Sequence, residues 1–278
     1  MKILCSWCGK QLGEKEPLDD QSDTHGKCPE CLEKERRKSR RSKSVKRQEP
    51  LLMCWSGGKD SSLALHAILK DPSFRVEALL TTVTEDYERI SMHGVRRALL
   101  YEQARVIGLP LEEVRIPVGA SNDTYEAAMG ECLSRYKTKG VSRVIFGDLF
   151  LQDIRQYREK RLAELEMKGF FPLWQKDTRK LAEDFISMGF RAFIVCVDPK
   201  QIDPSFCGRE FDQAFLSDLP ATADPCGENG EFHTFVYEGP IFHRPVKVKK
   251  GQVVNRDGFW FCDLIPDDLK LTSNTLNV

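Results

Sequence analysis

From Leu51 onward, short continuous apolar runs alternate with segments whose apolar residues recur at helical spacing. Leu51, Leu52, Met53, Cys54 and Trp55 form an unbroken apolar run, the pattern of a strand buried on both faces of a parallel sheet. A turn at Gly57-Gly58 follows, and Leu63, Leu65, Ile68 and Leu69 then predict a helix for which Asp60, Ser61 and Ser62 are candidate caps. Val76 to Val83 reads as a strand, Val95 to Ile107 as a helix ended by Gly108, and Val114 to Val118 as the next strand. Asp123 and Glu126 form a capping box for a helix with Tyr125, Ala128, Cys132 and Tyr136 on its apolar face and Gly140 as its stop. Val144 to Phe146 predicts a strand, Ile154 to Leu165 a helix, Leu181 to Met188 a helix ended by Gly189, and Phe193 to Val197 a fifth core strand. Such repeated βα units predict an α/β fold, a parallel sheet with helices on both faces, whose ligands lie outside the carboxyl ends of the strands. Beyond it, Val246 to Ile265 predicts two or three short strands turning at Lys250-Gly251 and Asp257-Gly258.

Composition fits a globular chain: 278 residues, 41% hydrophobic and 30% charged, with no apolar run near membrane-spanning length. A cysteine pair stands within Met1 to Lys10 where a secretory signal would carry its apolar core, so the expected location is cytoplasmic. Cysteines such as Cys54 and Cys196 lie singly in apolar stretches and read as reduced, buried thiols.

The cysteines near the start are different. Cys5-x-x-Cys8 and Cys28-x-x-Cys31 flank nineteen polar-rich residues, a spacing that supplies four thiolates to one tetrahedral structural zinc. A redox or iron role, or His25 in place of one cysteine, is the alternative that the spacing leaves. Lys34 to Arg47 holds nine Lys/Arg and one Glu, so a charge of +8 is balanced by −8 over the rest of a chain whose net charge is zero. A run of that kind suits RNA phosphates, or is simply a solvated linker or frayed helix. No aromatic is interleaved for base stacking.

Two stretches carry candidate chemistry. Ser56-Gly57-Gly58-Lys59-Asp60-Ser61-Ser62 joins a strand to a helix, where a glycine turn and a helix N-terminus favour a phosphate. It is not a Walker loop, because Met53 stands at that motif's first glycine and Asp60 follows Lys59 in place of Ser or Thr. It resembles the PP-loop of the ATP pyrophosphatases, which holds the pyrophosphate end of ATP while AMP is transferred. Gly147-Asp148 follows a predicted strand end, where the carboxylate either serves magnesium or a nucleophile or caps the next turn; Asp198 competes for that role. The second stretch, Asp224 to Phe242, crowds Glu228, Asn229, Glu231, His233 and Thr234 around Gly227 and Gly230, and on its own also reads as a hairpin loop.

Together with Pro172-Leu173-Trp174 and Gly189-Phe190, these stretches resemble the diphthine-ammonia ligase family of PP-loop enzymes, from about Leu51 to Phe242. The resemblance implies a nucleotide-binding α/β domain and a smaller α+β substrate domain. It implies ATP-dependent amidation, with ammonium, of the carboxylate of diphthine, a modified histidine on translation elongation factor two. Under it, Ser56 to Ser62 and Gly147 hold ATP with Mg2+, and Gly227, Glu228, Asn229, Gly230, Glu231 and Thr234 hold the substrate. Lys59, Asp60, Asp148, Glu228, Glu231 and His233 are the catalytic candidates. The expected organisation is a zinc ribbon over 1–33, a basic linker over 34–50, the PP-loop domain over 51–198 and the substrate domain with its C-terminal strands over 199–278. The ribbon and linker are not part of that family's core, so the acceptor is the least constrained element. Two rival readings are a tRNA-modifying PP-loop enzyme, which needs a reactive cysteine such as Cys132, Cys207 or Cys226, and a non-catalytic ATP-binding scaffold.

Overall fold

The computed structural model describes residues 2–16, 23–42, 48–84, 89–90 and 94–267. The chain forms two compact units, Met1–Arg47 and Gln48–Val278. In the first, β1 (Lys2–Cys5) lies between β2 (Gln11–Glu14) and β3 (Asp23–Gly26), antiparallel to the former and parallel to the latter. Helix α1 (Pro29–Ser42) follows, with Pro29 at its start and Glu30 in its first turn, both favourable at a helix N-terminus. The basic run is therefore helical as far as Ser42; residues 43–47 lie outside the described residues.

The second unit opens with β4 (Glu49–Cys54), α2 (Lys59–Leu69), β5 (Phe74–Thr84), β6 (Arg89–Ile90), α3 (Arg97–Ile107) and β7 (Leu111–Ile116). It continues with α4 (Asn122–Thr138), β8 (Arg143–Ile145), α5 (Gln152–Glu164), β9 (Lys168–Phe170) and α6 (Thr178–Ser187). Last come β10 (Arg191–Val197), α7 (Gln213–Asp218), β11 (Phe232–Glu238), β12 (Val248–Arg256) and β13 (Phe259–Pro266). Strands β7, β5, β4, β8 and β9 form a parallel sheet in that order, and β6 adds a short antiparallel pairing to the end of β5.

Alternation along β4 decides which helices cover which face. Leu51 and Met53 pack with Leu63 and Leu65 of α2 and Leu99 of α3, whereas Leu52 packs with Cys132 and Leu133 of α4 and Leu162 of α5. The sheet thus carries helices on both faces, as the repeated βα units predict. Among the described residues no helix is long and apolar enough to cross a membrane.

Four expectations are corrected. Phe193 to Val197 is not a fifth parallel strand: β10 lies in a second, antiparallel sheet of order β11-β10-β13-β12. An apolar run reports burial on both faces, and burial does not say in which sheet. The fifth parallel strand is β9, too short and glycine-interrupted to register as a run. Helix α2 begins at Lys59 with Gly58 as its N-cap, while the Ser61 and Ser62 hydroxyls donate to the Gly58 carbonyl at 2.9 Å each. Helix α4 is capped by Ser121 accepting from Thr124 N–H, not by an Asp123–Glu126 box. Lys250-Gly251 lies inside β12 at a register irregularity, and only Asp257-Gly258 turns the chain.

One buried amide ties the two sheets together around the PP-loop. Gln103 of α3 is 0% exposed; its Nε2 donates to the carbonyls of Gly57 (3.0 Å) and Val236 (2.6 Å), and its Oε1 accepts from the Trp55 indole at 3.0 Å. The Val236 N–H donates to the Gly57 carbonyl at 2.9 Å, so the loop is bonded directly to β11. Gly57 is at φ +77°, and a Cβ there would meet Gln103 Oε1 at 2.6 Å, so only glycine lets the loop approach this amide. Replacing Gln103 by Leu keeps the volume but leaves the Trp55 N–H and the Val236 carbonyl without this partner. With each buried orphan costing about 1–3 kcal/mol, Gln103→Leu is expected to lower the urea midpoint with little change in the slope of the transition.

Candidate active site

The loop Ser56 to Ser62 leaves β4 at its carboxyl end and is held in shape by its own side chains. Gly58 N–H donates to Ser56 Oγ at 3.3 Å, Ser56 Oγ lies 3.2 Å from Ser61 Oγ, and Lys59 N–H donates to Thr234 Oγ1 of β11 at 3.0 Å. Lys59 is 2% exposed and directs its ammonium at both Asp60 oxygens, at 2.9 and 2.7 Å, and over the Phe232 ring. Burial opposes the lysine's charge, but the negative groups around it, Asp60 foremost with Glu228 and Cys226, together hold the ammonium above its ordinary value.

Gly147 and Asp148 follow β8, the neighbour of β4. A Cβ at Gly147 would sit 2.8 Å from the Asp60 carbonyl carbon, so the glycine lets this strand end press against the first turn of α2. Asp148 Oδ1 pairs with Arg158 of α5 at 3.3 Å, while Oδ2 is buried with no hydrogen-bond partner among the described residues. Burial raises the Asp148 carboxyl, with Arg158 pulling against it and Asp60 adding to it. Asp198, the competing strand-end carboxylate, is spent on its own turn: its oxygens accept from Lys200 N–H and Gln201 Nε2, each at 3.0 Å.

The Gly227 to Thr234 segment brings further groups to the same place. Glu228 Oε1 accepts from Leu149 N–H at 2.8 Å, joining the loop to the residue after Asp148. Burial raises the Glu228 carboxyl to about 7; the Leu149 N–H counteracts it and the charges of Asp60 and Asp148 reinforce it. His233 is driven down to about 4, first by burial and then by Lys59, so its imidazole is neutral at pH 7. Glu231, 1% exposed, turns into the loop: Oε1 accepts from Asp224 N–H (2.8 Å) and Asn229 Nδ2 (3.1 Å), and Oε2 from Asn229 N–H (3.0 Å). Gly227 and Gly230 adopt positive φ in this turn. Lys59, Asp60, Asp148 and Glu228 therefore interact at one point, with His233 close enough to feel Lys59. Glu231, Asn229 and the two glycines shape the loop around it.

Three participants were not singled out by sequence reading, two of them for want of any local signal. Gln103 and Arg158 sit on helices with no local mark of their role, since only tertiary packing aims them at the loop. Asp224 was legible, because an Asp before Pro-Cys-Gly is an Asx-turn signal, and its Oδ2 accepts from Cys226 N–H (3.1 Å) and Glu228 N–H (3.0 Å). A buried carboxylate oxygen lacking a donor, beside a second carboxylate and a lysine ammonium, suits a divalent cation on a polyphosphate. Asp148 and Asp60 are the residues that fit it.

A second cluster lies in the first unit. The sulfurs of Cys5, Cys8, Cys28 and Cys31 all fall within 4.8 Å of one another, with Cys8 and Cys28 at 3.8 Å. Cys28 N–H donates to Cys5 Sγ at 3.3 Å and Cys31 N–H to Cys28 Sγ at 3.4 Å. Four thiolates at about 2.3 Å from one tetrahedral zinc lie roughly 3.8 Å apart, so this arrangement fits the metal.

Two family models match the second unit, the diphthamide synthase N-terminal domain over residues 51–169 and the diphthamide synthase C-terminal domain over residues 177–265. The chain is 27% identical over 184 residues to the diphthine–ammonia ligase of Bos taurus, covering 60% of this chain and 67% of that protein. It is 25% identical over 177 residues to that of Homo sapiens, covering 62% and 66%. With that of Schizosaccharomyces pombe it shares 28% over 110 residues, 38% of this chain and 18% of the yeast protein. The chain thus spans about two thirds of the length of the mammalian relatives. Both family models fall on the two sheets that meet at the PP-loop, and the chain belongs to the diphthamide synthase family.

Proposed function

We propose that the protein activates a carboxylate with ATP, releasing pyrophosphate, and converts it to an amide with ammonium, as the names of its relatives suggest. The observation that carries this reading is Asp148 Oδ2, a buried carboxyl oxygen without a donor among the described residues, beside the PP-loop and a Glu228 carboxyl raised to about 7. In the first step an acceptor carboxylate oxygen bonds to the α-phosphorus as the bond to the pyrophosphate oxygen breaks. In the second, ammonia bonds to the acyl carbon and AMP leaves with the former carboxylate oxygen.

The residues divide this work by charge. Lys59 keeps a positive charge at the loop where negative charge grows on the departing pyrophosphate. Asp148 and Asp60 are the ligands for magnesium, which when bound neutralises phosphate charge. Glu228 takes a proton from ammonium, freeing the lone pair that attacks. His233, neutral and half-buried, orients a polar group and carries no charge. Glu231 positions Asn229 and the loop and moves no proton. The tRNA thiolation reading loses support at the cysteines: burial raises Cys132 to about 11 and Cys207 to about 12, and raises Cys54 and Cys226 as well, so all are thiols at pH 7. In the first unit we assign Cys5, Cys8, Cys28 and Cys31 to a structural zinc. Diphthine on elongation factor two is the acceptor class that the relatives' names suggest.

Four outcomes test these assignments. With ATP, ammonium and a competent acceptor, the products are AMP and pyrophosphate, and Lys59→Ala abolishes their release; ADP and phosphate would refute the reading. The rate rises through about pH 7 as Glu228 loses its proton, and Glu228→Gln removes that limb and lowers kcat by about 10²–10⁴-fold. Stability moves the other way. The folded Glu228 carboxyl lies above its ordinary value of 4.5, so its contribution is favourable below that value and is lost as pH rises through about 7. Glu228→Gln should therefore raise Tm at pH 8 and change it little at pH 4. Elemental analysis should find one zinc per chain, lost in the Cys5→Ser, Cys8→Ser double variant.

A further inference from the structure

The reaction outlined above leaves the basic run of the first unit unused. Six of its cations, Lys34, Arg36, Arg37, Lys38, Arg40 and Arg41, stand within α1, the helix that carries Cys31. At about 100° per residue these positions fall within an arc of about 200°, and the rest of the circumference holds Cys31 and Glu35. Those two residues tie the helix to the ribbon. Cys31 belongs to the cluster of four sulfurs, and the Glu35 oxygens accept from the Lys27 ammonium at 2.7 and 2.6 Å. The one acid within Lys34 to Arg47 is thus spent on the ribbon rather than on the cations beside it.

The aromatic ring that the run lacks in sequence is supplied by the fold. Trp7, in the knuckle between Cys5 and Cys8, is 50% exposed, and the Lys27 ammonium that pairs with Glu35 also lies 4.8 Å from the centroid of its indole. Trp7, Lys27 and Glu35 form a chain of contacts from the knuckle to the second turn of α1, which sets an exposed aromatic face beside the start of the cationic arc.

Three kinds of partner would meet this charge. A membrane surface is a poor match, because Glu33 to Ser42 contains no apolar residue to enter it. An acidic polypeptide answers the charge but leaves the indole without a role. A single-stranded polynucleotide answers both, since its phosphates pair with guanidinium groups and its unpaired bases lie on aromatic faces.

We propose that α1 and Trp7 form a binding surface for single-stranded nucleic acid: the phosphate backbone follows the cationic arc of α1, and one unpaired base stacks on the Trp7 indole. RNA and DNA strands share these groups, whereas a duplex, its bases already stacked on one another, offers only phosphates. The surface lies within the first unit and does not rest on the amidating reading above.

The test uses the full chain and a fluorescein-labelled oligouridylate of about twelve nucleotides, followed by anisotropy between about 50 and 200 mM salt. Log affinity should fall against log salt with a slope between about −2 and −4, the value for three to six phosphate contacts at about 0.7 each. Replacing Arg40→Gln and Arg41→Gln together, with glutamine an equally good helix former, should flatten that slope by about 1.4. Trp7→Ala should weaken binding about fivefold or more with the slope unchanged, and Trp7→Phe, which keeps a ring, should restore most of it. Each variant should keep the metal content of the wild type, which separates loss of a contact from loss of the ribbon. Oligodeoxyuridylate of the same length distinguishes the sources: tighter binding of RNA assigns the surface to RNA through its 2′-OH, and equal binding assigns it to single strands of either kind. A slope unmoved by the arginine pair, wild-type affinity in Trp7→Ala, a duplex bound as tightly as the single strand, or equal competition by polyglutamate of the same charge overturns the proposal.

Discussion

The site depends on one carbonyl. Gly57 O receives both the Gln103 side-chain amide and the Val236 backbone N–H, so the turn that begins the PP-loop is bonded at once to α3 and to a strand of the other sheet. A loop rich in glycine and serine would otherwise sample many conformations, and its ordering would have to be driven by the ligand itself. Here the protein has done that ordering in advance, using a fully buried amide whose oxygen is also satisfied by the Trp55 indole. Because Lys59 N–H bonds Thr234, two residues before Val236 on the same strand, the loop and the Gly227 to Thr234 segment form one rigid corner.

Inside that corner the electrostatics are deliberately uncomfortable. Asp60, Asp148 and Glu228 lie half-buried near one another with the buried Lys59 as their cation, and their partial desolvation appears as carboxyls displaced upward. Raising a carboxyl toward neutrality makes it a useful base at physiological pH, and the same shift destabilises the fold when the charge forms. The two properties have one cause, desolvation, and cannot be tuned apart. The neighbouring core supplies the compensation: Phe185 stacks on Phe190 at 4.9 Å and meets Phe211 edge-on at 5.5 Å, in a packed aromatic cluster beneath the second sheet.

A cavity between α4 and α5 adjoins this corner at Arg158. Glu126, Arg161 and Glu164 line it beside apolar residues, and Arg158 is paired to Asp148 and lies over the Phe146 ring.

Local chemistry made much of this visible in the sequence. The run Leu51 to Trp55, the glycine turn and the apolar spacing of α2 each have a short-range cause, and so do the Cys-x-x-Cys pairs, whose sulfurs converge because each pair spans a single turn. The alternating βα units were legible for the same reason. What the sequence could not contain was the partner of each apolar run. β10 reads like a parallel strand, yet pairs antiparallel with β11 and β13, because burial on both faces is the same signal in either sheet. Glu231 looked as reactive as Glu228, since two carboxylates three residues apart are equivalent on paper. Only the fold decides that one accepts backbone N–H groups within its own loop while the other is pressed against Leu149 and its neighbouring charges. Gln103 and Arg158 lie furthest from sequence reading, because an amide and a guanidinium acquire their roles from what tertiary packing sets opposite them.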